Sequence, residues 1–216
     1  MKKILLTTAA VAAFSTSAFA DMPMGEDSFY LRADVTASKF NKSTAYGMSH
    51  KNSKSDMGIG AGVGYRVMDN MRAELVYNYA FSPKFKHSEA NYNSKVKVNA
   101  GALMAKGLVD FADLGVAKLY AGAGLGWAQV GAKFTDNGYA ATKQAPFSSK
   151  AKTKNNLAWA LYLGSGFSVA DGVTLDVAYS FTDLGKTKPF AASAGYTPGK
   201  VTVRAHNLSA GVRFDI

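Results

Sequence analysis

The chain contains no cysteine. Disulfide bridges, thiolate metal sites, a cysteine nucleophile and a lipid anchor attached through cysteine are therefore excluded. Histidine is nearly as scarce, with His50, His87 and His206 as the three in the chain. Their spacing matches no pattern of zinc ligands. A zinc site stays a minor alternative, and the sequence predicts neither a metal nor another cofactor.

Long apolar runs are also lacking. The run near the N-terminus extends from Ile4 to Phe14, which is shorter than the roughly 17–25 residues of a membrane-spanning helix, and no later stretch comes close. Two lysines precede this run, and the cleavage-type sequence Ala18–Ala20 follows it. This arrangement predicts an export signal at 1–20 and one mature domain at 21–216. If the mature chain crosses a membrane, it crosses with strands.

Acidic residues are few, since 15 Asp and Glu stand against 25 Lys and Arg, for a formal net charge of +10. Such a balance invites a nucleic-acid interpretation, because phosphate backbones attract basic proteins. The predicted export signal argues against it, and no nucleic-acid partner is expected.

What the sequence does contain is alternation with a period of two residues. Between 57 and 67 every second residue is apolar or aromatic, and the residues between them are mostly glycine. This period is typical of strands whose two faces meet different environments. The pattern predicts eight strands, at 28–40, 56–68, 71–81, 95–108, 118–131, 156–169, 173–182 and 201–216. In the fourth strand it predicts a lipid-facing side made of Val96, Val98, Ala100, Ala102 and Met104.

The segments between the predicted strands alternate in length. The short ones are 69–70, 109–117 and 170–172, and the long ones are 41–55, 82–94, 132–155 and 183–200. Short periplasmic turns and long external loops around an even number of strands are typical of outer-membrane barrels. The sequence therefore predicts an all-β fold: an eight-stranded antiparallel transmembrane β-barrel with four long external loops and a polar lumen.

A soluble periplasmic barrel or sandwich is the alternative, because it would show the same alternation with its faces reversed. Its water-facing side would carry Lys and Glu, whereas the non-apolar side here is rich in glycine, as at 58–64 and 122–126. These glycines indicate close packing inside a narrow barrel. They also resemble nucleotide-binding loops superficially, but they open no helix.

Charged residues on the predicted inward face are few and fall toward the periplasmic end. The six are Arg32, Asp34, Arg66, Glu74, Asp176 and Arg213. Three arginines balance three acids, and buried charges persist when they are paired and hydrogen-bonded. We interpret them as a salt-bridge cluster that fills the lower lumen. A catalytic or gating carboxylate pair is the alternative.

An enzyme at the barrel rim would need a histidine beside a carboxylate or a serine. His206 with Asp183 is the one plausible beginning of such a site, and no third group accompanies them. No enzymatic activity is expected.

The predicted external loops are rich in lysine, with aromatic residues between the lysines. Exposed aromatic residues beside charge are typical of contact surfaces. The candidate ligand-binding residues are Lys42, Lys51, Lys54, Lys84, Lys86, Tyr139, Lys143, Phe147, Lys150, Lys152 and Lys154. The segment 132–155 is the principal candidate, because it is the longest and the most basic. The simpler interpretation is that these lysines solvate the loops or bind anionic lipopolysaccharide beside the outer-membrane lipid.

Three stretches carry a family resemblance: Gly-Ile-Gly-Ala-Gly-Val-Gly-Tyr at 58–65, Tyr-Ala-Gly-Ala-Gly-Leu-Gly at 120–126, and Leu-Ser-Ala-Gly-Val-Arg-Phe-Asp-Ile at 208–216. With the eight alternating segments, they resemble the opacity-protein and OmpA-type small barrels over about 28–216. Within that group the chain is similar to the rickettsial surface adhesins that bind host vitronectin.

The resemblance implies a bacterial outer-membrane surface adhesin with a role in virulence. Its partner would be a host extracellular-matrix or serum glycoprotein, bound through basic external loops. No binding residue carries over from the family. The alternative function is a structural or small-pore outer-membrane protein without a specific ligand.

Overall fold

The computed structural model describes residues 29–41, 43–45, 48–50, 56–80, 84–89, 92–139, 147–189 and 200–216. Within these ranges no helix is long and apolar enough to cross a membrane. The predicted export signal at 1–20 lies outside the described residues. It stays a prediction, as does the start of the mature domain at 21.

Eleven strands occur in the described ranges. They are β1 Phe29–Phe40, β2 Ser43–Ala45, β3 Met48–His50, β4 Asp56–Met68, β5 Met71–Ala80, β6 Lys84–Glu89, β7 Tyr92–Asp113, β8 Lys118–Tyr139, β9 Phe147–Ala170, β10 Val173–Lys186 and β11 Thr202–Asp215. The order β5–β4–β1–β11–β10–β9–β8–β7 closes into a ring through pairing of β5 with β7. Every pairing in the ring is antiparallel. The predicted eight-stranded antiparallel barrel is confirmed.

The remaining three strands lie outside the ring proper. β6 pairs with the first six residues of β7 and continues the line of β5, while β2 and β3 form a hairpin of their own. Both features fall in segments that the sequence predicted as loops.

The short connections gather at one end of the barrel. Asp171 and Gly172 join β9 to β10, and Gly172 has a φ of +70°, in the left-handed region that favours glycine. The first described residue and the last residue of the chain meet at the same end, where the Ile216 N–H donates to the Phe29 carbonyl at 3.0 Å. Short turns mark the periplasmic side of an outer-membrane barrel.

Several segments predicted as loops are instead strand. β8 continues to Tyr139 and β9 begins at Phe147, so most of 132–155 extends the barrel wall. At the other end β7 runs to Asp113, which reduces the predicted connection 109–117 to four residues. The alternation continues past the predicted ends, and a longer strand satisfies more backbone hydrogen bonds.

Large apolar side chains cover the outside of the ring. Exposed examples are Leu31, Val35, Met57, Ile59, Leu103, Leu125, Trp127, Leu157, Leu161, Leu163, Leu175, Val177 and Leu208. So much contiguous exposed apolar surface requires a covering phase, which for a closed barrel is lipid.

The predicted faces of the fourth strand were wrong. Val96, Val98, Ala100, Ala102 and Met104 are buried inside the barrel, and the lipid side of β7 carries Leu103, Val109 and Phe111. Both phases of 95–108 contain apolar residues, so that window alone was ambiguous. Val109 and Phe111 decide the phase, and the predicted strand ended just before them.

The upper lumen is also less polar than predicted. Its wall on the β7–β8–β9 side is a continuous apolar cluster with members such as Val98, Val130 and Phe134, each 0% exposed. Phe40 from β1 and Val203 from β11 pack against this wall. The external half of the barrel therefore has a small hydrophobic core of its own, which holds the strand extensions together.

Candidate functional site

Seven charged side chains are buried in the periplasmic half of the lumen. They are Arg32, Asp34, Arg72, Glu74, Lys106, Asp176 and Arg213, all at most 7% exposed. We name these seven the lumen cluster. They come from β1, β5, β7, β10 and β11, and alternation turns each of them to the inside of the ring.

Glu74 is the centre of the lumen cluster. Its Oε2 lies 2.5 Å from Nη1 of Arg32 and 3.6 Å from Nζ of Lys106. Its Oε1 accepts a hydrogen bond from the Tyr30 hydroxyl at 2.8 Å and lies 3.8 Å from Nε of Arg72. The Glu74 side chain is 0% exposed. One carboxylate therefore holds three buried cations without help from bulk water.

The other acids of the cluster are paired in the same way. Arg32 Nη2 lies 3.1 Å from Oδ2 of Asp34, and Arg213 Nε donates to Oδ2 of Asp176 at 2.5 Å. Arg72 also pairs with Asp110, whose side chain is 18% exposed at the periplasmic rim. With Asp110 included, four cations balance four acids. Since every carboxylate of the cluster accepts from an arginine, none stands as a free base.

Arg66 does not belong to the lumen cluster. Its side chain is 33% exposed and pairs with Asp215 at 2.7 Å. Arg66 lies close to the β4–β5 turn, where the lumen opens, and the last residues of β11 bring Asp215 beside it. This ion pair belongs to the periplasmic mouth.

Sequence reasoning missed Arg72 and Lys106. Arg72 stands two residues before Glu74, so the alternation of β5 could have found it. Lys106 could not be found once the faces of β7 had been reversed, because it shares the phase of Met104. The register of β7 with β5, which places Lys106 opposite Glu74, reveals it.

Tyrosine rings pack the lumen between the charges and the glycines. A Cβ on Gly64 would lie 2.1 Å from the Tyr30 ring, and one on Gly164 would lie 2.5 Å from the Tyr120 ring. Glycine at these positions lets a ring lie flat on the barrel wall. The predicted role of the inward glycines, close packing in a narrow barrel, matches this geometry.

Three lumen tyrosine rings, those of Tyr30, Tyr120 and Tyr162, also lie next to a cation. The guanidinium of Arg72 lies 4.2 Å from the centroid of the Tyr120 ring, and Nζ of Lys106 lies 4.7 Å from that of Tyr162. Arg213 lies 5.5 Å from the centroid of the Tyr30 ring. Cation–π attraction of this kind strengthens in a desolvated site.

A cavity remains between the lumen cluster and the apolar upper half. Its lining combines polar side chains, among them Asn78, Ser180 and Asn207, with apolar ones such as Ala102 and Met104. It is closed below by charged side chains that are bonded to one another.

His206 and Asp183 do not form a site together. His206 faces outward, with Nδ1 2.6 Å from the Tyr179 hydroxyl, while Asp183 Oδ2 accepts from Arg204 Nε at 2.6 Å. Among the residues that the structure describes, no group of three His, Asp or Glu could hold a metal ion.

The predicted ligand-binding residues divide into three groups. Lys42, Lys51, Lys54 and Lys143 lie outside the described residues. Lys84, Lys86, Tyr139 and Phe147 lie in β6, β8 and β9, where the structure describes the backbone. Lys150 and Lys152 are exposed on β9, and Lys154 is half-buried directly after the register shift that follows Ala151.

Exposed lysines also occur on the neighbouring strands. Lys95 and Lys97 of β7 and Lys133 of β8 are exposed, and none of the three was among the predicted ligand-binding residues. Lys95 and Lys97 belong to the predicted strand 95–108, and Lys133 belongs to the predicted loop 132–155. The described basic surface is therefore a face of the sheet.

The comparisons with known proteins agree with this architecture. The family model for the outer membrane protein beta-barrel domain matches residues 6–214. The chain belongs to this outer-membrane β-barrel family. It is accordingly an outer-membrane protein, and the family points to a role other than catalysis.

The outer-membrane barrel has relatives in Rickettsia. A Rickettsia bellii protein that bears the name “Putative adhesin” is 34% identical over 230 residues, covering 100% of both chains. A Rickettsia felis protein of the same name is 34% identical over 231 residues, again covering 100% of both.

Solved structures show the same fold. Neisserial surface protein A matches with a TM-score of 0.53 and 21% identity, covering 87% of this chain and 97% of its own. OprG from Pseudomonas aeruginosa matches with a TM-score of 0.53 and 15% identity, covering 88% and 97%. At these identities the likeness concerns the fold.

Proposed function

We propose that this outer-membrane barrel is an adhesin that binds a host extracellular-matrix or serum glycoprotein, of the vitronectin kind, through its basic external face. The observation that carries the proposal is the group of exposed lysines on strands that rise beyond the apolar band. Two full-length relatives with adhesin in their names support it.

The external half of the barrel is suited to present such a surface. Val98, Val130 and Phe134 are buried beneath the exposed lysines of the same strands. A packed core fixes the backbone that carries the lysines, and a rigid binding surface loses less conformational entropy when it binds.

Display of the full chain on a bacterium without adhesins of its own tests the proposal. Displaying cells should bind immobilised vitronectin more than cells that display an unrelated small barrel. Binding should weaken as salt rises, because exposed charges are screened beyond about 8 Å at physiological ionic strength. Absence of binding to a panel of matrix and serum glycoproteins at physiological salt would refute the adhesin.

The second candidate function is a structural barrel without a ligand, and the lumen favours it over a small pore. We propose that the lumen cluster acts as a plug, because buried ion pairs and tyrosine rings occupy the narrow interior. This role is compatible with adhesion, since the plug and the external lysines lie at opposite ends of the barrel.

A further inference from the structure

Lysines from neighbouring strands stand side by side on the outer face of the external extension. The register pairs Lys97 of β7 with Lys133 of β8, and Lys133 with Lys150 of β9. Directly paired residues of antiparallel strands point to the same face with Cβ atoms about 4.5–5.5 Å apart. We name these three residues the lysine row. The backbone of β6 brings Lys84 next to Lys97 and prolongs the row by one position.

The lysine row faces away from the barrel interior. The residues before and after each lysine point inward, as shown by buried Val96, Val98 and Phe134, whereas all three lysines are exposed. Like charges that are directly opposite each other destabilise a sheet. In the part of the chain whose side chains are described, no carboxylate pairs with any lysine of the row.

The row stands above the lipid headgroups. On β8 the last large apolar residue of the outer face is Trp127, and Lys133 follows six residues later. At about 3.3 Å per residue and a strand tilt of about 45°, this places Lys133 roughly 14 Å above the edge of the apolar band. The interfacial layer is only about 5–7 Å thick on each side of a bilayer. β7 shows the same offset, with Leu103 and Lys97 six residues apart.

The surroundings of the row favour a flexible polyanion over a folded protein surface. The neighbours on the same face are small or polar, such as Asn99, Gln129 and Thr135, and no described aromatic side chain lies among them. Protein partners depend on large anchors that fill pockets. Neighbouring ammonium groups along the barrel wall instead match a chain with repeated negative charges.

We propose that the lysine row binds a linear sulfated polysaccharide of the kind carried by matrix proteoglycans. The chain lies across β7, β8 and β9, so that successive sulfate groups meet successive lysines, with Lys95 and Lys152 beside it. The proposal rests on the proposed function, because it requires this face to meet host surfaces, and it names the chemistry that the face recognises.

Two triple variants with equal loss of charge test the proposal. K97S/K133S/K150S removes the row. K39S/K186S/K188S removes three exposed lysines at the external ends of β1 and β10 and serves as the matched control. The barrel is refolded in detergent micelles, and its binding to heparin immobilised on a sensor surface is measured. Desulfated heparin on a second surface is the control for the role of the sulfate groups.

The row variant should bind heparin roughly tenfold more weakly, because three exposed ion pairs are lost and each contributes about twofold. The plot of log affinity against log salt should become shallower, and its slope should fall in magnitude by about three. Each of the three lysines accounts for the release of about one counterion. The matched control should change affinity by less than about twofold. A third variant, K97R/K133R/K150R, keeps the charges and should keep the binding.

Equal losses in both serine variants would overturn the proposal, because they would indicate a general charge effect. Equal binding to desulfated heparin, or no binding of the wild type at physiological salt, would also overturn it. The gel migration of unboiled samples shows whether each variant is folded, and the arginine variant and the wild-type salt slope give answers even if the serine variant misfolds.

The failure of this proposal and that of the proposed function are distinguishable. Bacteria that display the barrel are tested for adhesion to host cells before and after enzymatic removal of sulfated glycans. Their adhesion to immobilised vitronectin is measured separately. Adhesion that survives glycan removal keeps the adhesin and refutes the polysaccharide. Heparin binding without any adhesion refutes the adhesin and keeps the chemistry of the row.

Discussion

Glu74 is the residue whose loss should damage the barrel most. Its side chain is fully buried, with Arg32 Nη1 at 2.5 Å, Lys106 Nζ at 3.6 Å and Arg72 Nε at 3.8 Å. Glu74→Ala leaves these cations in a desolvated lumen with one carboxylate fewer. Breaking a buried ion pair from one side costs about 3–5 kcal/mol, and three cations depend on this one acid. We expect a loss of unfolding free energy in the upper part of that range.

Equilibrium unfolding in urea, with the barrel folded into phospholipid vesicles, measures the effect. Trp127 and Trp159 face the lipid and report on unfolding through their fluorescence. Lys118→Ala is the control, because it removes an exposed ion pair with Asp113 at 3.7 Å and should change the unfolding free energy by less than about 1 kcal/mol.

A double variant separates charge from packing. Glu74→Gln combined with Lys106→Met removes one buried acid and one buried cation while keeping similar volumes. The double variant should lose only about half as much unfolding free energy as Glu74→Ala, because neutral groups of similar shape often replace buried ions without penalty. A cost below about 1 kcal/mol for Glu74→Ala would refute the view that this acid holds the lumen cluster together.

Three further predictions concern the wall, the lipid face and the lumen. Gly64→Ala forces a Cβ into the Tyr30 ring and should lower the unfolding free energy by about 1–3 kcal/mol. Gly107→Ala meets no atom within 4 Å and should be neutral or stabilising. Equal urea unfolding curves for the two variants would contradict close packing of the Tyr30 ring on Gly64. Leu163→Arg, in the middle of the exposed apolar band of β9, should cost about 2–4 kcal/mol, and Val169→Arg, at the periplasmic end with the same 54% exposure, about 0–1 kcal/mol. If Val169→Arg lowers the unfolding free energy in urea more than Leu163→Arg does, the centre of the membrane does not lie at Leu163. In planar bilayers the wild type should conduct little, and large, steady single-channel currents would disprove the plug.

The sequence predicted the architecture because alternation and turn chemistry are local. A strand with one apolar face shows the same alternation of residues whatever strand it pairs with. The eight segments and their short turns could therefore be predicted before any pairing was known. The inward phase of β1, β5, β10 and β11 followed directly, and with it Arg32, Asp34, Glu74, Asp176 and Arg213. Longer windows would also have shown that Val109 and Phe111 continue β7.

Only the tertiary structure decided what these strands bring together. Strand register determines which residues become neighbours across chain separations of tens of residues, and no local pattern carries register. It set Lys106 opposite Glu74 and placed Arg66 at the periplasmic mouth beside Asp215. Register also aligned Lys97, Lys133 and Lys150 into a row, although they lie in three strands and show no shared motif. The sequence alone determined the barrel and its basic character, and the pairing of strands decided where the charges meet.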